Sequence, residues 1–217
     1  MNYISETKNR YRDKKTALAY QSGYDKGLNI KRMRNRLIAY FEKKAILRAL
    51  SRCEGIKNIL DMPCGTGKLS EILSERYETY VGVDISKEMM DEIKLERPIN
   101  LVQADGTSMP FENNFFDASV SLRLIHRLPA QIKLDVLNEL CRVSNNYVIF
   151  SFTKNSLYNR LLVGTKNLLR IGPEKIVMDA MKEYEGLLNV NGYRMVDSFS
   201  VLPSISNQHI FLFENIN

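Results

Sequence analysis

Residues 57–67 read K-N-I-L-D-M-P-C-G-T-G. The run Lys57–Met62 predicts a short strand that ends in a carboxylate, Asp61. The Pro-Cys-Gly-Thr-Gly turn that follows gives way to the helical spacing of Leu69, Ile72, Leu73 and Tyr77. Strand, tight glycine turn and helix form the opening unit of an alternating architecture, and the chain on either side repeats the rhythm. Thr79–Asp84 is expected as a second strand and Ser86–Leu95 as a helix, with Ser86 at its N-cap and Met89 in its first turn. Ile99–Ala104 and Phe116–Leu122 are the third and fourth strands, Pro129–Val143 a helix, and Tyr147–Phe152 a fifth strand apolar enough for the centre of a covered sheet. Upstream, Leu37, Ile38, Phe41, Ala45 and Ala49 predict a helix from Arg34 to Cys53.

Alternation of this kind means an α/β fold with a doubly wound, largely parallel sheet. The end of the chain breaks the pattern. Tyr193–Leu202 and His209–Phe213 are both strand-like, and the gap between them is too short for a parallel crossover, which needs a dozen residues or more. They form an antiparallel hairpin. The expectation is a seven-stranded sheet with six parallel strands and one antiparallel strand.

The 217 residues carry a net charge of +6, unevenly spread. Residues 1–50 hold 13 basic and 4 acidic side chains, so the remainder is mildly acidic. Residues 1–33 are polar, basic and rich in tyrosine, and read as an arm preceding a single domain over 34–217. The three cysteines, 53, 64 and 141, form no C-x-x-C pair and there are only two histidines, which excludes a disulfide scaffold or zinc ribbon. No metal is expected. The charged first twenty residues do not resemble a signal peptide, and no apolar run approaches the ~20 residues of a bilayer span. These features place the chain in a reducing, cytoplasmic compartment.

Three acids fall at consecutive strand ends: Asp61, Asp84 and Asp105. In an open α/β sheet, ligands bind beyond the carboxyl ends of the strands, where strand order reverses. Asp84, at the end of the second strand, suits the two hydroxyls of a ribose, and Asp105 an exocyclic amine such as that of adenine. The glycine turn does not fit the nucleotide motifs. A phosphate loop would need glycine at Met62 and Ser or Thr at Leu69, and the dinucleotide fingerprint would need glycine at Ser70. The ligand indicated is an adenine nucleoside without phosphates, carrying a positive sulfur.

The motifs D-M-P-C-G-T-G at 61–67, Y-V-G-V-D-I-S at 80–86, Q-A-D-G at 103–106 and F-D-A-S-V-S at 116–121 resemble those of class I S-adenosylmethionine-dependent methyltransferases, a Rossmann-like family. The segment S-M-P-F-E-N-N-F-F-D at 108–117 is similar to their type 11 group. Pro63 departs from the family's pattern, standing where the first glycine of its loop belongs. The resemblance implies S-adenosyl-L-methionine as cofactor. Gly65 and Gly67, in the loop with Pro63 and Cys64, would run under its methionine part, and Asp61 would meet its ammonium. Asp84 would take the ribose, Ile85 and Met89 would flank the adenine, and Asp105, followed by Gly106, would meet the adenine amine. Leu122 would lie near the sulfonium.

Acceptor recognition is expected outside this core, because function is grafted on the fold. Arg123 and His126, three residues apart, are expected on one face of a helical turn beside the reactive end. Arg123 would hold an anionic or hydroxylated acceptor, and His126 would take its proton. The insert at 153–172 alternates leucines with Lys154, Arg160, Lys166 and Arg170, as a lid or as a surface for anionic lipid. Lys31, Arg32, Arg34 and Arg36 offer a basic face to an anionic surface or nucleic acid. Asp117 and Cys64 are expected to be structural. The function expected is methyl transfer to a small-molecule, glycan or lipid-linked acceptor. An RNA methyltransferase is the first alternative, weakened because Ser121-Leu122-Arg123-Leu124 stands where N/D-P-P-Y/F would follow strand four. A non-catalytic cofactor-binding subunit is the second.

Overall fold

The computed structural model describes residues 30–95, 98–153, 181–202 and 206–217. In chain order these form α1 (Ile30–Leu50), β1 (Asn58–Asp61), α2 (Ser70–Arg76), β2 (Thr79–Asp84), α3 (Lys87–Met90) and β3 (Asn100–Gln103). There follow β4 (Phe116–Ser121), a 3-10 turn (Ile125–Arg127), α4 (Ala130–Val143), β5 (Ser144–Thr153), α5 (Met181–Val190), β6 (Tyr193–Leu202) and β7 (Ser206–Asn215). The seven strands make one sheet in the order β3-β2-β1-β4-β5-β7-β6. The pairs among β1 to β5 are parallel, and β7 runs antiparallel to both β5 and β6. The terminal hairpin supplies the one reversed strand, as its short gap requires.

Side chains alternate across the sheet and divide the core in two. Ile59, Ala118, Val120, Ile149 and Leu212 face Ala45, Ile46, Ala49 and Leu50 of α1. Leu60, Val148, Phe150 and Phe213 face Val136, Leu137 and Leu140 of α4 and Tyr184 and Leu188 of α5. Phe116 and Ala118 belong to opposite cores, and the register shifts between them: two steps along β4 oppose three along β5, Ser144 to Tyr147. Asp117, on β4 opposite that bulge, accepts the backbone N–H groups of Lys57 and Asn58, both at 2.8 Å, and so pins the start of β1.

Several element boundaries differ from expectation: β5 and β7 extend at both ends beyond Tyr147–Phe152 and His209–Phe213. Helix α1 begins at Ile30, so the last four residues assigned to the arm are helical, and it stops at Leu50 rather than Cys53. Helix α3 has Ser86 as its cap, the side chain accepting Met89 N–H at 3.1 Å, but it lasts one turn. After Met90 the bonds tighten to three-residue spacing, Glu92 to Met89 and Ile93 to Met90, which turns the chain back toward β3. The arm residues 1–29 and insert residues 154–180 lie outside the described residues, and with them the expectations made there. Among the described residues, no helix is long and apolar enough to cross a membrane.

Candidate functional site

Strand order reverses between β1 and β4, and a cavity of about 490 Å³ opens there, within the range that takes small-molecule ligands. Its floor is the loop after β1. Cys64 donates its N–H to the Val83 carbonyl at 2.9 Å, and Gly65, at φ +53°, donates to the Asp84 carboxylate at 2.9 Å. A side chain is rarely tolerated at such a φ, which is why glycine stands at 65. Gly67, at φ +79°, packs against Ile93 so closely that a Cβ would lie 2.9 Å from it.

Asp61, Pro63, Cys64, Gly65, Asp84, Ile85, Met89, Asp105, Gly106 and Leu122 all line this cavity. Gly67 does not line it and acts one residue behind, shaping the loop. Burial pushes the Cys64 thiol up, with Asp61 and Asp84 adding to the shift, which suits a turn residue and not a nucleophile.

The two deepest acids differ in their partners. Asp84, 6% exposed, accepts the Gly65 N–H on one oxygen and the Ser86 N–H at 2.9 Å on the other. Burial raises its pKa and these backbone donors hold it down. A carboxylate has about four acceptor sites, so two backbone bonds leave it capacity for a pair of hydroxyls. Asp61, 2% exposed, accepts the Tyr80 hydroxyl at 3.0 Å, and that hydroxyl is 2.7 Å from Ser70 Oγ. Burial pushes the Asp61 carboxyl up to about 7, Tyr80 opposing the shift and Asp84 adding to it. Its folded pKa lies above the ordinary carboxylate value of 3.8, so stability declines as pH rises through the window from about 4 to about 7. A bound cation reverses that penalty. Asp105 accepts the N–H and Oγ1 of Thr107, at 3.1 and 3.0 Å, which fixes the turn after β3.

A proton-linked affinity follows. A cationic ligand selects ionised Asp61, so S-adenosylhomocysteine, through its ammonium, should bind roughly tenfold more weakly at pH 6 than at pH 8. Calorimetry at the two pH values checks this, with Asp61→Asn expected to flatten the dependence. A wild-type affinity independent of pH would contradict the assignment of Asp61.

The two residues expected on the acceptor side share a smaller cavity, and only Arg123 also lines the main one. Arg123 is not on a helical turn. It sits at φ +58°, its N–H donating to Ser151 Oγ at 2.7 Å, and it does line the cavity. Its guanidinium forks onto Glu42 of α1, with Nε to Oε1 at 3.0 Å and a second contact to Oε2. Gln208 donates to the same carboxylate. His126, in the 3-10 turn, lines a smaller neighbouring cavity together with Arg123, Asn35, Arg127 and Gln208, and does not line the main one. Burial and the nearby Arg127, Arg123 and Lys133 push its pKa down to about 4, and Nδ1 is buried with no hydrogen-bond partner among the described residues. That is a poor position for a base acting on an acceptor.

Several cavity residues were not expected at this site. Helix α1 lays Tyr40, Glu42 and Lys43 along one wall with Arg36, expected instead on a basic outer face, and Lys68 joins them from the loop after β1. Burial pushes the Lys68 ammonium down to about 6, helped by Arg123 and Arg127 and opposed by Glu42.

Comparison with known proteins agrees with this geometry. Residues 59–146 match the family model of a methyltransferase domain. The chain is 34% identical over 119 residues to the 18S rRNA (guanine-N(7))-methyltransferase of Bos taurus, a stretch covering 54% of this chain and 39% of that protein. It is 35% identical over 132 residues to an uncharacterised protein of Methanocaldococcus jannaschii, covering 60% and 49%. The chain thus spans half or less of the length of these two relatives. In fold it is similar to the magnesium protoporphyrin IX methyltransferase of Synechocystis with S-adenosylhomocysteine bound, at a TM-score of 0.80, 14% identity, and coverage of 98% of this chain and 99% of that one.

Proposed function

With residues 59–146 forming a domain of the class I S-adenosylmethionine-dependent methyltransferases, we propose that the protein transfers a methyl group from S-adenosyl-L-methionine to a small-molecule, glycan or lipid-linked acceptor. The observation that carries this reading is the pair of buried carboxylates at the switch point. Asp84 retains acceptor capacity for a ribose, and Asp61 is held near neutrality in want of a cation. The residues present fit the cofactor. Asp84 would take the ribose hydroxyls, Asp61 the ammonium, Ile85 and Met89 the faces of the adenine, and the Gly65 turn the methionine backbone. The cofactor supplies a methyl group already activated on a sulfonium.

The protein's contribution is then chiefly placement. Orienting two reactants can contribute on the order of 7–11 kcal/mol, so an amine or acidic hydroxyl acceptor needs no strong base. Leu122, Leu124, Leu128 and Ile132 line the cavity beyond β4, an apolar wall suited to excluding water from the transfer. The position of His126 outside this cavity is consistent with a reaction that uses no imidazole.

A second reading is RNA methylation, favoured by relatives that are named as 18S rRNA methyltransferases and by the basic residues of α1. The two separate in one assay with the methyl-tritiated cofactor and cell extract split into RNA and low-molecular-mass fractions. Label in the low-molecular-mass fraction is the expected result. Label confined to RNA would establish the second reading, and label in neither fraction would contradict both.

A further inference from the structure

Helix α1 is apolar on two faces. Ile38, Ala45 and Ala49 turn inward onto the sheet, with Glu42 buried on the same side. On the opposite face Met33, Leu37, Tyr40 and Lys44 follow the same four-three-four spacing, and the first three are 44 to 64% exposed. A helix that only covers a sheet turns polar residues outward. Single apolar residues on a surface are ordinary, but three at neighbouring helical positions form a patch. Cations border it on both sides. Arg36 and Lys43 lie on the flank that lines the main cavity, and Arg48 on the other. Lys44 stands within the stripe, its Nζ 4.7 Å from the centre of the Tyr40 ring. All four cations are exposed, and none has an ion-pair partner among the described residues. The acid of α1, Glu42, is turned inward onto Arg123.

Apolar side chains in the middle and long cationic ones at the edges suit the boundary of an anionic bilayer. The first enter the acyl region while the cations keep their heads at the phosphates. Other occupants fit less well. RNA would satisfy the cations and stack on Tyr40, but it leaves the aliphatic Met33 and Leu37 without use. A second copy packed about a two-fold axis would set the same four cations against each other. Residues 1–29 hold six basic and three acidic side chains, so they too bring net positive charge to this face. We infer that α1 docks on an anionic lipid bilayer through Met33, Leu37 and Tyr40, with Arg36, Lys43, Lys44 and Arg48 against the headgroups. Arg36, Tyr40 and Lys43 are exposed and also line the main cavity, so they form part of its rim. Docking turns that rim toward the lipid, the side from which a lipid-linked acceptor is reached. The docking surface goes beyond the proposed reaction and does not depend on it.

The test is co-sedimentation of the full chain with vesicles of phosphatidylcholine, alone or mixed in equal parts with phosphatidylserine. Binding to the anionic vesicles should be about tenfold or more tighter, and should weaken as salt is raised. Two double variants lie at exposed positions outside the cavity lining. Met33→Gln with Leu37→Gln, and Lys44→Gln with Arg48→Gln, should each weaken binding to the anionic vesicles about fivefold or more, with the melting temperature unchanged. Equal binding to the two kinds of vesicle, or binding to neither, would overturn the inference. So would binding that survives the change at Met33 and Leu37, since the stripe would then take no part. A single-stranded RNA oligonucleotide bound more tightly than the anionic vesicles, and lost in both variants, would assign the face to nucleic acid instead. Self-association of the chain that the Met33 and Leu37 change abolishes would assign it to a second copy.

Discussion

Asp84→Ala is expected to weaken S-adenosylhomocysteine binding by about 10- to 100-fold, because buried donors left without an acceptor each cost ~1–3 kcal/mol. The carboxylate has two tasks that this change removes together. It would accept the ribose hydroxyls, and it already accepts the N–H groups of Gly65 and Ser86. Loss of the second task loosens the glycine loop, so a small drop in melting temperature should accompany an intact circular dichroism spectrum. Asp84→Asn keeps one acceptor oxygen and should fall between alanine and wild type. An Asp84→Ala affinity within twofold of wild type would show that the ligand lies elsewhere.

Glu42→Ala should be the most destabilising single change in the site. Glu42 is 4% exposed and holds the Arg123 fork across 81 residues of chain, with Gln208 donating beside it. Removing one member of a buried ion pair leaves the other charge unpaired, at about 3–5 kcal/mol. For a chain of this length that lowers Tm by roughly 6–20 °C. The double change Glu42→Leu with Arg123→Met should recover much of the loss, since apolar replacements of buried pairs are often neutral. A single variant melting within about two degrees of wild type would mean that Arg123 is not an anchor for α1, and would return it to the acceptor role expected of it from sequence.

The fold was legible because it is written in local patterns. The alternation of strand and helix, and a hairpin gap too short for a crossover, are properties of neighbouring residues. β2 and β6 begin and end where their apolar and turn residues predict. The acids of the cofactor half were legible for the same reason: Asp61 and Asp84 close β1 and β2, and Asp105 lies in the turn just after β3. The acceptor half is assembled from distant parts, and there local patterns carry less. Arg123 and His126 are close in sequence and both border the smaller cavity, but with a positive φ at Arg123 and a 3-10 turn after it only Arg123 also lines the main one. Glu42 did leave a signal. It is the single acid in α1, and with Ile38, Ala45 and Ala49 it falls on the helix face that packs inward. A lone carboxylate on an apolar face implies a buried partner. Its identity is set by tertiary contact alone.

The central claim is that the cavity at the β1–β4 switch point holds an S-adenosyl cofactor and not a dinucleotide. Calorimetric titration of the unaltered protein with S-adenosylhomocysteine and, separately, with NAD tests it most directly. The account predicts one saturable site for S-adenosylhomocysteine and markedly weaker binding of NAD; tighter binding of NAD would contradict it.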